Sequence, residues 1–138
     1  MAFVVPGANA SSSLSLMVGN NSLLVTTLTP LPSVVASLDF NLTHSSAIKA
    51  DACCTLLTSS NNLFDVRYHL LIDDRRINSD DLIQSIFGNG SYMNINITQI
   101  STYVGPGCHT LKLVALTNAP LGTISCVNAS INCVGNIL

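Results

Sequence analysis

Apolar and polar residues alternate with a period of two along much of this chain, and this pattern constrains the fold more than any other feature. One set of alternate positions holds Ile48, Ala50, Ala52, Cys54 and Leu56, and the other holds Lys49, Asp51, Cys53 and Thr55. The alternation recurs over 66–73, 94–98 and 111–115. Because successive side chains of a strand point to opposite faces, each run predicts a strand with one buried face.

Runs of this kind recur about every 10 to 14 residues and are separated by Gly, Pro, Asn, Asp and Ser. They predict strands near 23–29, 34–43, 47–57, 64–73, 81–87, 91–100, 109–117 and 122–134. Eight strands in one chain of this length predict an all-β fold, a two-sheet antiparallel β-sandwich of the jelly-roll type. The one helical alternative is Ser79–Phe87, where Ser79 or Asp80 could cap a short helix.

The balance of residue types excludes several classes of function. Hydrophobic residues make up 48% of the chain and charged residues 9%, against about 25% charged in ordinary soluble domains. Five basic residues in a net charge of −2 leave no cationic surface for nucleic acid. Proline and asparagine break the uncharged stretches, so no membrane span is expected, and the start of the chain lacks the basic region of a secretory signal.

The first 20 residues are uncharged, and the first charged residue of the chain is Asp39. They contain Pro6, a serine run and two apolar patches, which is typical of an extended connector arm rather than a core element. We therefore predict a connector arm at 1–20 and a jelly-roll domain at 21–138. The residues expected to dock into a neighbouring subunit are Phe3, Val4, Val5, Leu14, Leu16 and Val18.

Five cysteines, Cys53, Cys54, Cys108, Cys126 and Cys133, match no zinc-binding spacing. Disulfides in an oxidising exterior explain them better, and the odd count leaves one thiol free or available to another subunit. Adjacent Cys53 and Cys54 should point to opposite faces of one strand. The alternative is that most are small buried hydrophobic residues.

The remaining polar residues do not predict an enzyme. His44, His69 and His109 lie in no catalytic motif and are expected at polar strand positions. Asp73, Asp74, Asp80 and Asp81 bracket one loop, where they are either solvated turn charges or ligands of a structural Ca²⁺. Six N-x-S/T sequons, starting at Asn9, Asn20, Asn41, Asn89, Asn96 and Asn128, are interpreted as Asn/Thr-rich β-structure, with glycosylation as the alternative. No metal or cofactor is expected.

Four short segments carry a resemblance to a known family. They are Tyr68–Asp73 (YHLLID), Gly107–Leu113 (GCHTLKL), Gly122–Ile124 (GTI) and Asn128–Ile131 (NASI). They resemble the closing half of trimeric jelly rolls of the tumour necrosis factor and C1q type, domains similar to those of viral fibre heads and spore-surface filaments. The resemblance implies a homotrimer, and the uncharged arm resembles the connectors of spore appendage subunits.

Together these features predict a non-enzymatic structural subunit that assembles with itself into an extracellular fibre on a spore or virion surface, without nucleic acid or membrane. The alternatives are a jelly-roll capsid protein and a fibre-tip module that binds a receptor or glycan. Such a module would use the turns Gly88–Ser91 and Gly105–Cys108, with Tyr92 and Tyr103 as the nearby aromatic residues.

Overall fold

A computed structural model describes residues 14–78 and 81–138; within this part, the side chains of 15, 60, 61, 86–91, 99 and 100 are not described. The described residues form eight strands and no helix, and thus no helix that could span a membrane. The strands are β1 (Leu14–Ser22), β2 (Thr26–Thr27), β3 (Ser33–Leu42), β4 (Ser46–Ile72), β5 (Arg75–Arg76), β6 (Leu82–Val104), β7 (Gly107–Thr117) and β8 (Ile124–Ile137).

The main strands form two antiparallel sheets that pack as a β-sandwich. The first sheet has the order β1, β8, the first half of β4 and the second half of β6. The second has the order β3, β7, the second half of β4 and the first half of β6. This is the connectivity of a jelly roll in which two pairs of consecutive strands are continuous. The all-β sandwich predicted from the sequence is confirmed.

Strands β4 and β6 each belong to both sheets. β4 spans the two strands predicted at 47–57 and 64–73, and β6 spans those predicted at 81–87 and 91–100. The polar run from Ser59 to Asn62 was expected to be a turn, but here the register shifts and the chain crosses from one sheet to the other without leaving the β conformation. Bulges of this kind bend a strand while keeping most of its pairing.

The core lies between the sheets and follows the alternation of the sequence. Ile48, Ala50, Ala52, Cys54 and Leu56 are all buried, whereas their neighbours at 49, 51, 53 and 55 are exposed or half-buried. The second half of β4 and strands β7 and β8 add further fully buried side chains: Val66, Leu70, Leu111, Ala115, Ile124, Cys126 and Ile131. Removal of this apolar surface from water is the main driving force for the sandwich.

The expected boundary between arm and domain differs from the structure. Residues 14–20, assigned to the connector arm, belong to β1, which pairs with β8 of the same chain from Leu14 opposite Asn136 to Ser22 opposite Ala129. The side chains of Leu16 and Val18 pack partly against the core. The strand expected at 23–29 is reduced to Thr26–Thr27. β1 begins earlier because its apolar residues at 14, 16 and 18 already have strand periodicity.

The two ends of the sandwich differ in charge. At one end, here the neutral end, lie the loops 23–32 and 118–123 and the bend at 59–63, none of which contains a charged residue. Backbone bonds join them: Thr117 N donates to Thr29 O and Ser59 N to Thr123 O, each at 2.9 Å. At the other end, here the charged end, lie 43–45, 73–78 and 105–106, with four charged residues in 73–76 alone.

Candidate assembly surfaces

The longest unprotected edge of the sandwich is β6, which within the described part of the chain pairs only with β4. Its 23 residues contain no charged residue and no proline. Natural edge strands are usually protected from pairing with other chains by lysines, prolines or strong bulges. β6 has only bulges, and Ile83, Tyr92 and Tyr103 are exposed along it. The outer edge of β6 is therefore a candidate surface for pairing with another chain.

The opposite side of the sandwich has the edges β1 and β3. β1 pairs with β8 and β3 with β7. The two edges are linked across the gap between the sheets, because Asn20 Nδ2 donates to the carbonyl oxygen of Ser37 at 2.9 Å. β1 is also free of charge and proline, whereas β3 contains Asp39. The sandwich thus has two uncharged edges, β1 and the second half of β6, at opposite ends of the first sheet.

The residues expected to dock into a neighbour fall into two groups. Phe3, Val4 and Val5 lie outside the described residues. Leu14, Leu16 and Val18 lie in β1, where Leu14 is exposed and the other two are half-buried. Because β1 belongs to the sheet of its own subunit, these three residues are not part of an arm that extends out of the domain. What remains as a candidate is the uncharged N-terminal segment, residues 1–13.

The cysteines divide by burial. Cys54 and Cys126 face the core from adjacent strands with Cα atoms 6.4 Å apart and form a disulfide. Cys53 lies on the outer face of the same strand, with its Sγ 2.9 Å from Ser130 Oγ. Cys133 is buried, and burial raises the pKa of its thiol to about 11. Cys108 is exposed, so it is the thiol that another subunit or a reagent reaches most easily.

His109 occupies a polar cluster at the charged end. Its Nδ1 lies 2.5 Å from Asp73 Oδ2 and its Nε2 lies 2.8 Å from the carbonyl oxygen of Gly105. Both partners are acceptors, so both contacts are hydrogen bonds only when each ring nitrogen carries a proton. Burial alone lowers the pKa of His109, but the hydrogen bonds to Asp73 and Gly105 outweigh it and the pKa is raised. The imidazole therefore links the turn before β7 to the turn after β4.

His69 lies on the outer face of the second sheet but is buried. Its Nδ1 is 3.0 Å from Asp81 Oδ1, and Arg76 contacts the same carboxylate oxygen. Burial, followed by the charge of Arg76, lowers the pKa of His69. The third histidine, His44, is exposed, with its Nδ1 2.9 Å from Thr43 Oγ1.

The aspartates of the loop after β4 each have a separate partner. Asp73 binds His109, Asp74 binds Lys112 Nζ at 2.9 Å, and Asp81 binds His69 and Arg76. Asp80 lies outside the described residues. Within residues 14–78 and 81–138, no group of three His, Cys or Asp side chains is placed to hold a metal ion. In the described part of the loop the carboxylates form ion pairs instead of a Ca²⁺ site.

The two turns expected to form a recognition surface lie at opposite ends of the molecule. Ser91 pairs with Thr58 near the neutral end, whereas Gly107 pairs with Leu42 near the charged end. Near the second turn, an open groove of about 550 Å³ is lined by Asp39, Phe40, Asn41, Cys108, His109 and Thr110. Tyr92 and Tyr103 are exposed on β6 but are 11 residues apart, roughly 35 Å along a strand. One small ligand cannot contact both tyrosines.

Four of the six sequons start at an asparagine whose side chain is described, and Asn20, Asn41, Asn96 and Asn128 are all exposed. Asn96 and Asn128 lie on the outer face of the first sheet. This face is polar and nearly uncharged, and Thr55 Oγ1 donates to Asn94 Oδ1 across it at 2.9 Å. Cross-strand bonds of this type stabilise the sheet.

The sequence contains a signal for both the β6 edge and the neutral end, namely the absence of charge, but it was not interpreted as marking interaction surfaces. The charge-free run 82–104 and the charge-free loops are visible in the sequence. Their meaning depends on the topology, which alone shows that the run is an edge and that the loops meet at one end.

No protein-family model matches the chain, and no curated protein matches it. Among solved structures, it is similar to a Bacillus endospore appendage described as a disulfide-linked pilus: 6% identity, TM-score 0.46, 90% of this chain and 91% of that chain covered. It is also similar to VP2 of the infectious bursal disease virus subviral particle, with 11% identity, a TM-score of 0.43, and 88% of this chain and 32% of that chain covered. A third similar structure is a family 35 carbohydrate-binding module of Clostridium thermocellum, with 7% identity, a TM-score of 0.42, and 82% of this chain and 90% of that chain covered. At identities this low the likeness concerns the fold alone.

Proposed function

We propose that this protein is a non-enzymatic structural subunit that assembles with copies of itself into a fibre on an extracellular surface, that of a spore or a virion. Subunits associate side by side into a trimer or small ring through their sheet edges. The N-terminal segment of each subunit docks into a neighbour in the next ring, so that rings stack into a fibre. Repetition of a head-to-tail contact without closure gives such an open polymer.

The observation that carries this proposal is the unprotected edge β6. A monomer that leaves 23 residues of uncharged edge strand exposed risks uncontrolled pairing with other chains. An obligate partner edge removes this risk. β1 is a suitable partner, because it is also uncharged and lies at the opposite edge of the first sheet. Pairing of β6 with β1 of the next subunit continues one sheet from subunit to subunit.

The side chains of the described clusters support a structural rather than a catalytic role. Both nitrogens of His109 and one of His69 are held by acceptors within the domain. These contacts tie loops to strands at the charged end. They stabilise the rigid body that an assembly requires.

The lateral contact is tested by placing a charge on the edge. Tyr92→Lys adds an unpaired ammonium to the exposed second half of β6, the edge of the first sheet, and Asn128→Lys adds the same group at an exposed position of the central strand β8. Sedimentation velocity and negative-stain microscopy of the full chain should show oligomers for the wild type and for Asn128→Lys. Tyr92→Lys should lose the rings, leaving 14.5 kDa subunits joined at most in single file by their N-terminal segments. A wild type that remains monomeric at all concentrations contradicts the proposal.

A fibre-tip module that binds a receptor or a glycan is the second candidate. The groove beside Gly105–Cys108 favours it, because it is open and is lined by the polar residues Asp39, Asn41 and Thr110. Microscopy separates the two functions, since a tip module forms discrete trimers and a shaft subunit forms filaments. Binding of an immobilised glycan array by discrete trimers, with loss of binding in Asn41→Ala, would favour the tip.

A further inference from the structure

The neutral end carries a group of exposed aliphatic side chains on three separate parts of the chain. Six of them have between 62% and 82% of their surface exposed. They are Leu23, Leu24 and Val25 between β1 and β2, Leu31 between β2 and β3, Leu63 at the bend of β4, and Leu121 between β7 and β8. Single exposed leucines are ordinary, but a group of this size at one end of a small domain indicates an interaction surface.

Hydrogen bonds hold the three parts together as one surface. Besides the two backbone bonds of the neutral end, Leu28 N donates to Ile124 O at 2.9 Å and Asp65 N to Asn118 Oδ1 at 3.1 Å. Within the loop 118–123, Thr123 N donates to Pro120 O at 3.1 Å. Prolines at 30, 32 and 120 further restrict the loops. The apolar side chains are thus presented by a fixed framework, which lowers the entropic cost of binding.

The chemistry of this surface favours protein over lipid. Surfaces that insert into a bilayer combine aliphatic residues with tryptophan or tyrosine at the headgroups and with lysine or arginine. The loops 23–32 and 118–123 and the bend 59–63 contain neither aromatic nor basic residues. The nearest charges along the chain, Asp65 and Arg67, form no basic patch. An uncharged, aliphatic segment of protein therefore fits this surface best.

The chain itself contains such a segment, and the fold places its origin at the other end of the molecule. Phe3, Val4 and Val5 form an apolar triplet in the uncharged N-terminal segment. The first residue of β1, Leu14, pairs with Asn136 near the charged end, where Leu138 N donates to Ser45 O. When two subunits stack end to end in the same orientation, the segment of one starts opposite the neutral end of the other.

The reach of the segment suits this contact. Nine residues separate Val5 from Leu14 and span at most about 30 Å when extended. To reach the neutral end of its own subunit, the segment has to reverse direction and cover the length of β1, about 26 Å. It would then lie along the β1 edge that the proposed lateral contact requires. Docking in a second subunit needs neither the reversal nor that edge.

We propose that the neutral end is the socket for the apolar triplet Phe3-Val4-Val5 of a second copy of this chain, with Leu31, Leu63 and Leu121 among the contacting residues. This inference rests on the proposed function, because it names the axial contact of the fibre. The contact is head-to-tail and apolar, and it is independent of the lateral contact at β6.

The test uses two variants of the full chain that each remove one half of the contact. Val4→Asp places a charge in the triplet, and Leu121→Asp places one in the socket; Asn128→Asp adds the same charge on an exposed central strand. Since an unpaired carboxylate is costly to bury, each of the first two should raise the protein concentration needed for fibre growth by about tenfold or more. Asn128→Asp should leave fibre growth unchanged. Circular dichroism confirms that all three are folded.

A mixture of the two variants gives a sharper result than either alone. A Val4→Asp subunit retains its socket and a Leu121→Asp subunit retains its triplet, so rings formed separately from each variant can make one intact set of contacts when they are mixed in equal amounts. We expect lateral rings that stack in pairs and then stop, visible by microscopy as double rings. Rings that remain single in the mixture would contradict a head-to-tail contact between these two surfaces.

The outcomes separate this inference from the proposed function. If Val4→Asp abolishes fibres and Leu121→Asp and Leu31→Asp do not, the segment docks elsewhere and only the socket assignment is wrong. If neither substitution affects the fibres, the inference fails while Tyr92→Lys still tests the lateral contact. Sedimentation of the wild type with phosphatidylcholine vesicles, lost in Leu121→Asp, would reassign the surface to lipid. A wild type that never assembles overturns both proposals.

Discussion

Loss of the Cys54–Cys126 disulfide should lower the free energy of unfolding by about 4 kcal/mol. The two cysteines are 72 residues apart in the sequence. A cross-link that closes a loop of this length reduces the entropy of the unfolded chain by roughly 15 cal/mol/K, or about 4.4 kcal/mol at 25 °C. Domains of this size have a total stability of about 5 to 15 kcal/mol. The reduced protein should therefore remain folded with little free energy of unfolding left, and its melting temperature should be lower by on the order of 15 °C.

The measurement compares urea unfolding of the oxidised protein with that of protein refolded and kept in reductant. Reduction is preferable to substitution, because Cys→Ala at these fully buried positions also opens a cavity. The matched control is Cys108→Ser, which changes an exposed thiol outside the bond. It should unfold like the wild type in both conditions.

Two results would refute this reasoning. Coincident unfolding midpoints with and without reductant would mean that the cross-link contributes nothing to stability. Thiol titration of the unreduced protein in denaturant provides the second check. Five cysteines less the two in the bond leave three reactive thiols, and a count of five would mean that the bond is absent from the isolated protein.

Three further predictions concern single side chains. Maleimide at pH 8 should label Cys108 at least about ten times faster than Cys133, whose raised pKa and burial suppress the thiolate; equal rates by timed peptide mass analysis would contradict this. His109→Gln should cost more stability at pH 5.5 than at pH 8.5, by roughly 1 kcal/mol for this partly exposed pair. The pKa of His109 is raised in the folded protein. The stability that protonated His109 contributes is therefore complete below its unfolded pKa of about 6.5 and is lost as pH rises through its folded pKa. A difference in urea unfolding that does not change with pH would refute this prediction. Gly107→Ala should destabilise by about 1 to 3 kcal/mol because φ at this position is 118°, whereas Gly105→Ala, with open space around the added methyl group, should melt like the wild type.

The sequence predicted the sandwich and much of its core because most strands have one buried face. Alternation identified the inward residues of β4, from Ile48 to Leu56 and from Val66 to Ile72, and all of the inward residues named are buried. It did not predict the continuity of β4 and β6. Residues such as Ser, Asn and Gly interrupt the alternation in the same way at a turn and at a bend, and the cross-strand register decides between them.

The polar clusters were not predictable in detail. Asp73 and His109 are 36 residues apart, and they meet because β4 and β7 pair with Ile72 opposite Leu111. No local pattern gives that register. The assignment of Leu14, Leu16 and Val18 to an arm had a similar cause, since Pro6 and the serine run before them are typical of an extended segment and no local pattern shows the pairing of β1 with β8. In the structure Gly19 lies within β1 opposite Asn132, whose side chain would have to turn away to admit a Cβ atom at this position.

The continuity of β4 and β6 has a mechanical consequence. In a sandwich of separate sheets, one layer can peel from the other when the loops between them yield. Here the two layers share the same pair of strands, joined to each other from Ser46 opposite Val104 to Tyr68 opposite Leu82. Neither layer can detach without tearing the backbone ladder of the other, so a pulling force should meet a single barrier and the whole domain should rupture in one step.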